Sequence, residues 1–184
     1  MEPKFTKSQT NKGTENQGLA LLLTDCRFQR VDLATKQRIL ELVGKTGSFS
    51  TQTFDAVMTA TPAPPITAAN VERHFASLRL VEMKTTRKPI RNESLNGFFF
   101  GATEREYEMA KALGSWYLFA FVVLNSDNNY GRPFAVLLTA DQVEERTRSR
   151  RVQYQVNFRS DFEAAGGTDR QMLIVLGDAS HIPH

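Results

Sequence analysis

The sequence predicts a mixed α/β (α+β) fold in which a central mixed sheet is flanked by helices. Three observations carry that expectation. The chain reads as helices, then strands, then a helix, then more strands. The run "TEREYEMAKALG" opens at Thr103 with the T-x-x-E pattern of a capping box and ends at Gly114, a glycine stop. Directly after it, "SWYLFAFVVLN" is short, aromatic and apolar on both faces, as a doubly buried strand requires.

The elements follow in chain order. Residues 1–12 are polar with little periodicity, and a flexible arm is expected there. One domain is expected over 13–178, with a tail at 179–184. "TENQGLALLLTDC" suits a short helix burying Leu19, Leu22 and Leu23, weakened by Gly18. "DLATKQRILELVG" places Leu33, Leu40 and Val43 near one helical stripe with Ile39 beside it, and Gly44 is set to end it. A strand is expected over 52–59, where β-branched and aromatic residues dominate. The proline-rich run from Pro62 to Pro65 opens a loop or insertion, since proline does not serve a central strand. "SLRLVEMKTT" reads as the next strand, with Leu78, Leu80, Glu82 and Lys84 on one face and Arg79, Val81, Met83 and Thr85 on the other.

Phe98 to Phe100 suit a short strand or an anchor into the core. "FAVLLT" reads as another buried strand, "ADQVEERTRS" as a helix, and "RVQYQVNF" and "QMLIVL" as strands. Hydrophobic residues make up 41% of 184, enough for one domain with a real core and too few residues for two full domains.

Composition narrows the function classes. The single cysteine, Cys26, cannot form an intrachain disulfide, and beside leucines it is expected to be a buried, inert thiol. No apolar run approaches the ~20 residues that span a bilayer, and the N-terminus lacks a secretory h-region. A cytoplasmic protein without membrane association is the expectation. There is no phosphate-binding glycine loop and no Cys/His spacing suited to zinc. His74 is isolated, and His181 and His184 lie in the tail. A net charge of +3 permits a polyanionic partner without demanding one. The cations concentrate at Lys84, Arg87, Lys88 and Arg91, and again at Arg146, Arg148, Arg150 and Arg151, as phosphate contacts or as solvated surface charge.

Glu82 and Lys84 raise the sharper question. Two residues apart on a strand they share a face, so they form either a surface ion pair or part of a catalytic site. Metal-dependent phosphodiester cleavage uses acidic oxygens to hold Mg²⁺ and a lysine near the attacking water. Asp55, on the preceding strand, supplies a second acid.

The order of acid-bearing strand, E-x-K strand, helix and apolar strand resembles the core of the PD-(D/E)XK nuclease superfamily. The nearer likeness is to the nuclease-like domain at the C-terminus of NO VEIN proteins. It rests on Val81-Glu82-Met83-Lys84-Thr85-Thr86, similar to that family's "VEVK-G-T" strand end. It rests also on "FFGATEREYEMAKAL", similar to its "F-x-x-T-x-x-E-x-x-x-A" helix start at Phe99 or Phe100, Thr103, Glu106 and Ala110. The likeness covers roughly residues 13–125.

It implies a restriction-endonuclease-like sheet and a metal-dependent DNA endonuclease, in restriction or defence. Asp55 and Glu82 would be metal ligands and Lys84 the catalytic lysine, with Mg²⁺ as cofactor and Mn²⁺ as a substitute. Glu15 is similar to a first-helix glutamate that assists the metal in many members, and is equally an ordinary helix N-terminal acid. The chain departs from the pattern in having Phe54 rather than proline before Asp55, and in a longer segment between the two acids. Glu72 is therefore a second candidate for the first acid. DNA is the expected partner, with a homodimer where both strands are cut. The alternative is a catalytically silent domain of the same fold that binds nucleic acid or a protein.

Overall fold

The computed structural model describes residues 7–44 and 49–147. Its sheet has five strands, β1 (Phe28–Gln29), β2 (Ala56–Thr59), β3 (Leu78–Thr86), β4 (Tyr117–Val123) and β5 (Phe134–Leu138), lying side by side in chain order. The first three strands pair antiparallel, β3 and β4 pair parallel, and β5 returns antiparallel to β4. A parallel pair needs a long crossover. Residues 87–116 supply it and carry the helix α4 (Glu104–Leu113). The mixed sheet with flanking helices is the expected fold class.

The alternation along β3 sorts the molecule into layers. Leu78 and Leu80 enter the larger core with Ile39, Leu40, Met109, Phe119 and Phe121. Val81 points the other way, into a smaller cluster with Leu22, Phe28, Ala56 and Ala120. Helix α1 (Lys7–Leu22) covers that second face. The first face is covered by α2 (Leu33–Val43), α4 and α5 (Ala140–Arg146).

Local chemistry explains most boundaries. Asp32 caps α2 through the Thr35 N–H, and Gly44 ends the helix in the left-handed conformation at φ 69°. Both halves of the Thr103/Glu106 capping box are present on α4. Thr139 and Gln142 form a second capping box on α5. Phe98 and Phe100 serve as anchors and form no strand: each meets Phe121 edge to face, at 5.2 and 4.9 Å between ring centres. Phe99, between them, is exposed.

Several expectations are corrected. Helix α1 begins at Lys7, inside the stretch expected to be an arm. Leu33 lies outside the buried stripe of α2, which is Thr35, Ile39 and Leu40, because as the first residue of the helix it sits at the end of that stripe, beyond the core. Strand β2 starts at Ala56 rather than at residue 52. Thr53 closes a turn on the Ser50 carbonyl through both its N–H and its hydroxyl. The proline-rich insertion holds a short helix, α3 (Val71–His74), and β1 pairs with the strand before it. Among the described residues β5 lies at the sheet edge and is half exposed rather than buried. Cys26 is exposed, since it sits in the turn between α1 and β1. The strands expected in "RVQYQVNF" and "QMLIVL", together with Arg148, Arg150, Arg151, His181 and His184, lie outside the described residues. Among the described residues no helix is long and apolar enough to cross a membrane.

One close approach fixes α1 on the sheet. Gly18 is buried, and a Cβ there would stand 2.4 Å from Thr85 Oγ1 and 2.8 Å from Thr85 Cγ2. Rotating the stiff threonine exchanges one clash for the other. In a free helix, alanine for glycine gains about 1 kcal/mol. Here Gly18→Ala is expected instead to destabilise the fold by about 1–2 kcal/mol, the cost of overpacking. Urea unfolding measures this, and a variant more stable than wild type would refute the close packing of α1.

Candidate active site

Asp55 reaches Glu82 through the end of the β2–β3 ladder. Its N–H donates to the Val81 carbonyl at 2.9 Å, and its Oδ2 accepts the Met83 N–H at 2.9 Å. The backbone and the carboxylate of Asp55 thus bracket Glu82. The turn leading to Asp55 is held from two sides. Tyr117, buried on β4, donates its hydroxyl to the Thr53 carbonyl. Lys36, on α2, donates from Nζ to the Thr51 carbonyl at 3.1 Å and to the Phe54 carbonyl, and its ammonium stands 4.6 Å above the Phe54 ring.

Lys84 joins the strand to α4. Its Nζ donates to Glu82 Oε1 at 2.7 Å and to Glu106 Oε2 at 2.9 Å. Their side chains are only 13%, 7% and 11% exposed, so these are buried ion pairs and not the surface pair that E-x-K spacing alone suggests. Glu106 Oε2 also accepts the Thr103 N–H at 2.9 Å, while Thr103 Oγ1 accepts the Glu106 N–H at 3.2 Å. One oxygen thus serves both the helix cap and the lysine. Glu82 Oε2, by contrast, is buried and has no hydrogen-bond partner.

The charge balance follows from this crowding. Burial pushes the Glu82 carboxyl up to about 8, against the pull of the Lys84 ammonium and with help from the charges of Asp55 and Glu106. Burial disfavours the charged form of Lys84, but Glu82 and Glu106 outweigh it and hold its pKa above the ordinary lysine value. Lys36 goes the other way: burial lowers its pKa, and the opposing attraction of Asp55 and Glu82 does not cancel the effect. The site is a partly dry place where three carboxylates and two ammonium groups act on one another.

The arrangement suits a divalent cation in one specific respect. A buried carboxylate oxygen without a partner is costly unless something completes its coordination. Glu82 Oε2 is such an atom, and the Asp55 carboxylate, held on the Met83 N–H, is near enough for its charge to act on Glu82. Among the described residues no group of three or more His, Cys, Asp or Glu side chains is placed to form a metal cage. Mg²⁺ needs no such cage, since it keeps several waters and commonly takes only one or two carboxylates.

The remaining candidates are dispersed. Glu15 is exposed on α1, whose buried side packs on the opposite face of the sheet, so it does not join Asp55 and Glu82. Glu72 is exposed on α3 and pairs with Arg38 at 3.3 Å, which removes it as a substitute first acid. His74 is the last residue of α3. Arg87, Lys88 and Arg91 are exposed just beyond β3, and Arg87 donates to Gln17 Oε1 at 2.6 Å. Sequence reasoning missed Lys36 and the second role of Glu106. The capping box marks Glu106 as a helix residue, and no local pattern marks Lys36.

A carboxyl that titrates higher in the folded than in the unfolded state binds its proton more tightly when folded. Its contribution to stability therefore falls as pH rises from 4.5 towards about 8. In chelator, Glu82→Gln should gain stability relative to wild type over that interval, as read by urea unfolding at successive pH values. Parallel curves for the two proteins would show that Glu82 carries no such shift.

Comparison of the chain with protein-family models, with curated proteins and with solved structures found no match.

Proposed function

We propose that the protein is a metal-dependent DNA endonuclease of the PD-(D/E)XK type, similar to the NO VEIN nuclease-like domains. The observation that carries this reading is the meeting of Asp55, just before β2, with Glu82 and Lys84 on β3, with Glu82 Oε2 buried and unpartnered. Asp55 and Glu82 would hold Mg²⁺, or Mn²⁺ in its place. Bound there, the cation would polarise the scissile phosphate, help generate the attacking hydroxide and stabilise the leaving oxygen.

The chain's own residues do the rest. Lys84 places a fixed ammonium beside the carboxylates, where it donates to the attacking water or to a phosphate oxygen as negative charge develops. Asp55 is held by the Met83 N–H, so its carboxylate is oriented before anything binds. Arg87, Lys88 and Arg91 lie exposed past the end of the same strand and would contact phosphates without reading bases. A single site cuts one strand, so double-strand cleavage would call for two copies of the chain.

A second reading has one observation in its favour. Lys84 is already engaged by both glutamates, and such a trio can serve as a buried brace. The protein would then be a silent domain of the same fold that binds nucleic acid or a protein partner.

Cleavage assays separate the two. Plasmid and single-stranded DNA are incubated with Mg²⁺, Mn²⁺ or EDTA. Wild type is expected to cut with either metal and not with EDTA. Asp55→Asn, Glu82→Gln and Lys84→Ala are each expected to lower activity by about 100-fold or more. Cutting that persists in Asp55→Asn and Glu82→Gln rejects the mechanism, and no cutting by folded wild type leaves the silent reading. For the basic patch, Lys88→Ala with Arg91→Ala should lower the slope of log affinity against log salt by about 0.9 for each phosphate left unneutralised. An unchanged slope would remove these residues from the DNA interface.

A further inference from the structure

The geometry points to Glu106 as a positioning residue that holds the Lys84 ammonium in place independently of Glu82. Capping does not require a charge at this position. On α5 the same capping box is completed by the neutral Gln142, whose Oε1 accepts the Thr139 N–H at 3.0 Å. On α4 the corresponding residue is a buried carboxylate, and its charge is costly to keep from water. The cap uses only an oxygen, so the negative charge is in excess of what the helix needs. Its partner is Lys84 Nζ, at 2.9 Å from the very oxygen that takes the Thr103 N–H.

The two glutamates hold the lysine differently. Glu82 is two residues away on the same strand, and its second oxygen is unsatisfied, so a cation would compete with Lys84 for its charge. Glu106 is locked to the first turn of α4 by reciprocal bonds with Thr103. When Glu82 turns to a cation, Glu106 keeps Lys84 where it is. The strand thus supplies the lysine, and the helix start supplies its fixed point. Catalytic use of that lysine rests on the nuclease reading, whereas its placement by Glu106 does not.

The test separates these claims. Lysine labelled with ¹³C is followed by NMR, with Lys84 assigned through Lys84→Arg, and the two Hε protons report whether the ammonium is held. Glu82→Gln imitates a Glu82 whose charge has been taken up. The Lys84 Hε pair should stay split in Glu82→Gln and collapse to one shift in Glu82→Gln with Glu106→Gln. Thr103→Ala, which removes part of the cap and keeps the carboxylate, should keep the split. Collapse already in Glu82→Gln, or a split that survives in the folded double variant, overturns the inference.

Where wild type cleaves DNA, Glu106→Gln alone, which can still cap α4, should lower kcat by about 10–100-fold with KM unchanged. Full activity in Glu106→Gln, or an equal loss in Thr103→Ala, also overturns it. Absence of cleavage in wild type counts against the nuclease reading only, and the NMR result then decides the role of Glu106.

Discussion

The Lys84 ammonium, shared between Glu82 and Glu106, is the interaction on which the rest of the site depends. Removing three charged groups from water costs several kcal/mol for each ion, and attraction repays this only with good geometry. Here the geometry is supplied by elements formed for other reasons. β3 brings Glu82 and Lys84 to one face, and the cap of α4 fixes Glu106. Deleting Lys84 would leave two buried glutamates without their shared partner, which is worse than having no network at all.

The sheet gives this network its dry surroundings. Strand β3 is central, paired antiparallel with β2 as far as Val81 and parallel with β4 from Leu80 to Thr86, so its charges have apolar β4 neighbours on one side and Asp55 at the end of the β2 ladder on the other. Leu80 precedes Glu82 on the same face, and the register sets Glu82 beside Phe119 and Lys84 beside Phe121. The opposite face of β3 is closed by α1, whose Gly18 lets the helix come down onto Thr85. A central strand carrying charge in such a setting departs from the local rule that strands of this kind are apolar. Such departures concentrate at functional sites.

The fold was legible where local physics decides. The T-x-x-E start at Thr103, the stop at Gly114 and the apolar run from Tyr117 to Val123 all depend on near neighbours, and each formed as expected. Where tertiary contacts decide, local patterns mislead. Leu33 is as apolar as Leu40, but at the first position of α2 it stays 60% exposed while Leu40 is buried. β2 gives up its first residues to a turn held by the Tyr117 hydroxyl, which comes from 64 residues away in sequence. Cys26 follows a leucine-rich helix and is nonetheless exposed, because the chain turns there towards β1.

The candidate site divides in the same way. By itself the sequence determined that Glu82 and Lys84 share a face, since a strand has a period of two, and that Glu106 closes a helix cap, since the cap is local. Only the tertiary structure decided that these residues form one buried cluster. It set Asp55 beside Glu82, drew Lys36 over the Phe54 carbonyl, and left Glu15 and Glu72 outside. The reason is physical. Spacing along a chain fixes which side chains can face together, while burial and the pairing of charges depend on which segments pack against them.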